Sequence, residues 1–133
     1  MKKMLIMMLA LAALTACKHE TIDDRAAREA RDYTMKNCPT PVNNYCRTDS
    51  MTFDRTTRSL VYYYSLVDKA DNEEVMRMNE KKMHEALFNG IINATNLKVY
   101  KDASISFRYV YRSASNPQKT LYETTFTKKD YGI

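Results

Sequence analysis

The residues most able to do chemistry in this sequence are three cysteines, Cys17, Cys38 and Cys46, and two histidines, His19 and His84. Nucleophilic catalysis needs a thiol or hydroxyl beside a base, with a further group to orient that base. The chain has no Gly-x-Ser-x-Gly, no Ser-x-x-Lys and no glycine-rich phosphate loop. His19 lies two residues behind Cys17, and His84 sits between Met83 and Glu85 on the polar side of a helical pattern, where it reads as a surface histidine. Cys38 and Cys46 bound the stretch CPTPVNNYC. A redox role would call for Cys-x-x-Cys, and structural zinc for four ligands; neither is offered. In an exported chain the pair reads instead as a disulfide closing a short loop, contributing about 2–3 kcal/mol on the chain-entropy model. The paired acids Glu73-Glu74 and Asp68/Asp71 stand at a helix start, where capping accounts for them, and their oxygens are too few for calcium. The expectation is no catalytic set, no metal, no cofactor, and a protein that is not an enzyme.

Tyrosine and arginine offer recognition instead of catalysis. The chain has 10 Tyr and no Trp. In SLVYYYSLV, strand alternation puts Leu60, Tyr62, Tyr64 and Leu66 on one face and Val61, Tyr63, Ser65 and Val67 on the other. In ISFRYVYRS, Tyr109 and Tyr111 share a face with Phe107, while Arg108 and Arg112 point the opposite way. Burial in a sheet accounts for Tyr62, Tyr64, Tyr109 and Tyr111. Tyr63 with Arg108 and Arg112 would form an aromatic, basic surface if their strands are neighbours. Such a surface suits a carboxylate, an acidic glycan or a partner protein.

The opening residues say where such a surface would operate. Met1-Lys2-Lys3 is cationic, Met4–Leu14 is apolar without a break, and Thr15-Ala16 is small. This is the order of a secretory signal, and the apolar run is shorter than the roughly 20 residues a membrane-spanning helix takes. Leu14-Thr15-Ala16-Cys17 resembles the bacterial lipobox. That resemblance implies cleavage before Cys17, diacylation of its thiol and anchoring by two or three acyl chains, enough for stable membrane attachment. It divides the chain into a signal peptide (1–16), a lipidated tether (17–21) and a single domain (22–133). Lys18 behind the cysteine favours the outer membrane, with the domain either periplasmic or surface-exposed.

With the signal removed, 19 Lys+Arg stand against 16 Asp+Glu, a net charge of +3. The signs are interspersed, so nucleic acid is not expected as a partner. Thr21–Asn37 reads as a helix with a narrow, alanine-rich stripe (Ile22, Ala26, Ala30, Tyr33). Ser50–Asp54 and Ser59–Asp68 read as a hairpin, Asp71–Asn93 as the clearest helix, and Ser104–Ser113 with Leu121–Thr127 as a second hairpin. Gly90 in the long helix costs about 1 kcal/mol relative to Ala, which suggests close packing on a strand or an early helix end. The expected fold is α+β: an α-β-β-α-β-β two-layer sandwich, with a four-stranded antiparallel sheet and two helices on one face. CPTPVNNYC, LVYYYSL and LKVYKDA followed by ISFRYVY give the domain a likeness to small lipoproteins of gut anaerobes, which brings no functional motif with it. The functional expectation is a non-enzymatic lipoprotein of the outer membrane that works as a protein-interaction module, held by Cys17 and facing an envelope protein. The alternative is a surface-exposed binder of glycan or another small ligand, which requires a concave, aromatic-lined cleft.

Overall fold

The computed structural model describes residues 19–132. Its elements are α1 (Ile22–Asn37), β1 (Cys46–Asp54), β2 (Ser59–Leu66), α2 (Glu73–Asn93), α3 (Lys98–Asp102), β3 (Ser106–Ser113), β4 (Thr120–Phe126) and α4 (Lys128–Tyr131). The lipidation expected at Cys17 and the expected signal peptide lie outside the described residues. Among the described residues, no helix is long and apolar enough to cross a membrane.

Local chemistry sets the helix starts. Thr21 caps α1, its hydroxyl accepting from the Asp24 N–H at 3.0 Å, and Asp23 and Asp24 favour the positive end of the helix dipole. The helix ends at Cys38, the residue before Pro39. Asn72 caps α2 by accepting from the Val75 N–H at 3.0 Å. Ala26 and Ala30 are fully buried, so α1 lies close against β1. Met76 and Ile91 are the buried anchors of α2, which packs on β4. Gly90 is exposed and nothing lies within 4 Å of where its Cβ would be, so the close packing expected there is not the reason for the glycine.

The sheet runs in the order β1-β2-β3-β4. β1 with β2 and β3 with β4 are antiparallel hairpins, but β2 and β3 run parallel, with Tyr62 opposite Tyr109 and Tyr63 opposite Val110. The wholly antiparallel sheet expected from the sequence is therefore corrected to a mixed one. The cause is the connection: α2 carries the chain back along the sheet, so β3 starts at the same end as β2. β1 also begins at Cys46, four residues before the expected Ser50, and extra short helices, α3 and α4, flank the second hairpin.

Leu60, Phe107, Phe126, Ile105 and Ile91 fill the core between sheet and helices. Tyr131 closes its end, donating to the Ile105 carbonyl oxygen at 2.6 Å. The opposite sheet face is wet at its surface, as its arginines imply, yet Val61 and Val110 on it are 2% exposed. They sit in register beside Arg108 and Tyr63, whose longer side chains stand between them and water.

Cys38 and Cys46 are separate thiols, which corrects the expected disulfide. The loop between them is closed by the backbone: Asn43 and Cys46 exchange N–H···O bonds at 2.9 and 3.0 Å, and the Thr40 N–H donates to the Thr48 carbonyl at 3.0 Å. Cys46 is packed against the core side of the sheet, whereas Cys38 caps α1. Burial pushes the Cys46 thiol up to about 11 and raises Cys38 as well, so both are poor thiolates.

Candidate functional site: a tyrosine-floored cleft

Between α1 and the segment that runs through α3 lies a cleft of about 490 Å³. Its floor is β2, which contributes Leu60, Tyr62 and Tyr64, with Thr48 and Met51 from β1. One wall is a single stripe of α1, where Arg25, Glu29 and Tyr33 recur every four residues; Asn96, Leu97 and Tyr100 form the other. The floor is stiffened from the side, by the neighbouring strand β3. Tyr62 stacks on Tyr109 with ring centroids 4.8 Å apart, and Tyr64 stacks on Tyr111 at 4.5 Å. Burial, and then the neighbouring phenols, push the Tyr62 and Tyr64 hydroxyls well above the usual phenol range. At neutral pH both are uncharged hydroxyls on an apolar floor.

The walls are tied to each other at the mouth. The Tyr100 hydroxyl donates to Glu29 Oε2, and Glu29 Oε1 accepts from Arg25 Nε at 2.8 Å. Burial alone would raise the Glu29 carboxyl; the Tyr100 hydroxyl and the Arg25 guanidinium outweigh it and hold the group below its ordinary value. Burial first, and then Glu29, move the Tyr100 phenol up to about 12. At the base of the same wall, Arg58 binds Asp23 through Nε and Nη2 and donates from Nη1 to the Ala103 carbonyl at 3.1 Å. One guanidinium thus joins the start of α1 to the end of α3.

This arrangement is suited to holding an apolar or aromatic group, with hydrogen bonding at the lip. Three polar side chains of the cleft, Arg25, Glu29 and Tyr100, are spent on one another. Both Glu29 oxygens are occupied, one by Arg25 and the other by the neutral Tyr100 hydroxyl. Among the described residues no group of three or more His, Cys, Asp or Glu side chains is placed to hold a metal ion.

The residues singled out from the sequence lie elsewhere. Tyr63, Arg108 and Arg112 are brought together on the opposite face of the sheet, on the adjacent strands β2 and β3. The Arg112 guanidinium lies 5.0 Å from the Tyr63 ring centroid, and Arg108 pairs with Glu123 at 2.6 Å. Arg47 and Asp49 add an ion pair at 2.8 Å, with Ser65 donating to the other Asp49 oxygen. The face is a charged surface whose cations already have partners. His84 is exposed on α2, with its Nδ1 3.3 Å from the Thr124 hydroxyl and its ring against Phe126. The cleft is not among the sites the sequence singles out, because sheet burial is the favoured account of Tyr62 and Tyr64 there. The available signal was the Arg25, Glu29, Tyr33 stripe beside an alanine-only contact line.

The chain belongs to the family described as a domain of unknown function, DUF8479, whose model matches residues 21–122. No curated protein matches the sequence. Three solved structures share the fold at low identity. A Pseudomonas aeruginosa protein classed as secreted is 13% identical with a TM-score of 0.68, over 85% of this chain and 99% of its own. A type 2 secretion system pilotin from Vibrio vulnificus is 7% identical with a TM-score of 0.60, over 80% and 88%. The type II secretion system pilotin of Vibrio cholerae is 14% identical with a TM-score of 0.54, over the same shares. At these identities the likeness is one of fold.

Proposed function

We propose that this protein is a non-enzymatic lipoprotein of the bacterial envelope, anchored through Cys17 to the outer membrane, whose domain holds a protein partner. The observation that carries the proposal is the tyrosine-floored cleft between α1 and α3, with its apolar floor, two polar walls and internally satisfied charges. Such a cleft receives one or two anchoring side chains of a partner, and its rim orders the surrounding contact. The fold neighbours support the reading: two of them are pilotins of type 2 secretion systems. The face of Tyr63, Arg108 and Arg112 is a second contact surface.

Site-specific photo-crosslinking in intact cells tests this, with the crosslinker at Tyr33 and Asn96 on the rim, at Arg31 on the far side of α1, and at Arg112 on the opposite face of the sheet. A discrete protein adduct from the rim positions, absent from Arg31 and lost in Tyr64→Ala, is the expected result. Adducts only from Arg112 would move the interaction to the other face, and no protein adduct from any position would end the proposal. The anchor is tested separately: Cys17→Ser should move the protein from the membrane to the soluble fraction and abolish labelling by palmitate.

A second reading is favoured by the size of the cleft. A volume of about 490 Å³ lies within the range of small-molecule sites, roughly 300–1,000 Å³. A glycan or other small ligand that stacks on Tyr62 or Tyr64 would shift their ring resonances on titration and would compete with the protein adduct.

A further inference from the structure

Glu20 shortens the tether between the domain and the anchor expected at Cys17. Its carboxylate takes two arms of Arg28, Oε1 from Nε at 2.6 Å and Oε2 from Nη2 at 3.0 Å, so the chain is fastened to α1 two residues before the helix begins. From Cys17 to Glu20 a fully extended backbone reaches at most about 11 Å. The end of the domain at the start of α1 is therefore held against whatever surface carries the anchor.

Four segments meet at this pole: the start of α1, residues 55–58 between β1 and β2, the end of α3, and α4. Arg58 joins Asp23 to the Ala103 carbonyl, and Tyr131 donates to the Ile105 carbonyl. Most acids here are matched by a cation: Glu20 by Arg28, Asp23 by Arg58, Asp24 by Arg55 at 3.0 Å, and Asp102 by Lys98 at 2.6 Å. Asp54 and Asp130 accept instead from the Thr56 and Thr127 backbone N–H groups. Three cations remain. Lys101 donates to the Ile91 carbonyl at 2.8 Å, Lys128 lies 5.8 Å from the Tyr131 ring centroid, and Lys129 is exposed. Three lysines against Asp54 and Asp130 leave a net charge of +1, gathered on the α3–α4 side. Among the described residues no exposed large apolar side chain lies at this pole. Met35 in the last turn of α1, Val42 and Tyr45 in the loop behind it, and Val75 in the first turn of α2 stand at the opposite one.

Given the Cys17 anchor proposed above, we propose that this pole is the membrane-facing surface of the domain. It rests on the headgroups of the leaflet that holds the anchor, with the α3–α4 corner tilted toward their phosphates. The acyl chains supply the affinity, so the lysines need only bias the orientation of a domain already held at the surface. Charged tips without large apolar side chains lie among headgroups and do not enter the acyl layer. Arg25, Glu29 and Tyr33 all fall within about 17 Å of the start of α1 at 1.5 Å per residue, so the cleft opens close to the leaflet and its partner meets it there.

The test uses the full acylated protein, extracted from membranes and placed in nanodiscs of phosphatidylethanolamine and phosphatidylglycerol with a gadolinium chelate on a minority of headgroups. Mass spectrometry of the N-terminal peptide first reads the acyl chains on Cys17. The Thr56, Ser104 and Lys129 amide resonances should then be lost to broadening, while those of Asn44 and Tyr45, beyond the roughly 24 Å length of α1, stay sharp. Lys128→Glu combined with Lys129→Glu should restore part of the Ser104 intensity, as should raised salt. A Gly-Ser insert of about twelve residues after Lys18 adds roughly 19 Å of reach and should make the two poles broaden alike. Unchanged Asn44 and Tyr45 shifts in nanodiscs without gadolinium show that each variant is folded. A Cys17 without acyl chains would end the anchor and this proposal together. Acylated protein whose poles broaden alike without the insert, or whose opposite pole broadens first, would overturn the orientation and leave the anchor standing. Broadening at this pole that ignores charge reversal and salt, or that the insert leaves unchanged, would overturn it equally.

Discussion

Tyr100→Phe isolates the contact that ties the two walls of the cleft. The ring is 4% exposed and stays in place; only the hydroxyl that donates to Glu29 is lost. A hydrogen bond to a charged acceptor is worth about 1.5–3 kcal/mol when well buried. The Glu29 side chain is 39% exposed, so solvent screening brings the expected loss to about 1–1.5 kcal/mol. The pH dependence has a definite shape. Glu29 is held below its ordinary value of 4.5, so its share is complete above that pH and is lost as pH falls through the native carboxyl pKa. Tyr100 is raised from 10 to about 12, so its share is complete below pH 10 and is lost as pH rises toward 12. Urea melts of parent and variant at intervals from pH 3 to 11 should therefore give a stability difference that is level between roughly pH 5 and 10 and shrinks on both sides. A Glu29→Gln, Tyr100→Phe cycle should show coupling at neutral pH. A difference below about 0.3 kcal/mol, or one that ignores pH, would refute the tie.

Three further outcomes follow from the same geometry. Gly90→Ala should raise stability by about 1 kcal/mol, read from the urea midpoint, because the new methyl meets nothing within 4 Å. Thr34→Val keeps the shape but removes the hydroxyl that serves Met51 N–H and C=O; it should cost about 1–2 kcal/mol and speed exchange of the Met51 amide. In an ultraviolet titration, Tyr62, Tyr64, Tyr100, Tyr109, Tyr111, Tyr122 and Tyr131 should all ionise above the ordinary phenol range while the protein is folded. Burial leads in each case, and stability should fall as pH rises past 10.

Most elements were legible because their signals are local. Thr21 with Asp23 and Asp24, Asn72 ahead of Glu73-Glu74, and the strict alternation in LVYYYSL each declare an element within a few residues. The face shared by Tyr63, Arg108 and Arg112 was legible as a set of outward residues, though their adjacency depends on β2 pairing with β3. Direction was not legible. Two hairpins and a helix permit either sense at the central seam, and only the return path of α2 decides for parallel. The disulfide expectation failed for a related reason: cysteine spacing gives the size of a loop, while Asn43, Thr40 and Thr48 close it without sulfur.

The cleft itself follows from helix and sheet dimensions. α1 packs on β1 and α2 on β4, the two outer strands. Strands lie about 4.8 Å apart, so the outer pair of four are separated by about 14 Å. Helices in contact need 8–10 Å between axes. Two helices placed over the outer strands cannot touch, and a trough must remain over β2 and β3. The sequence answers with tall side chains at those positions: Tyr62, Tyr64, Tyr109 and Tyr111 fill the trough with stacked rings. α3 covers part of it, with Tyr100 reaching across to Glu29. What stays uncovered is the space bounded by Tyr62, Tyr64 and the α1 stripe. Leucine at 62 and 64 would have supplied equal hydrophobicity with less height and no polar tip, leaving a void under the helices. Tyrosine closes the core and keeps a hydroxyl at the surface, so one choice of residue both fills the sheet and furnishes the floor of a binding site.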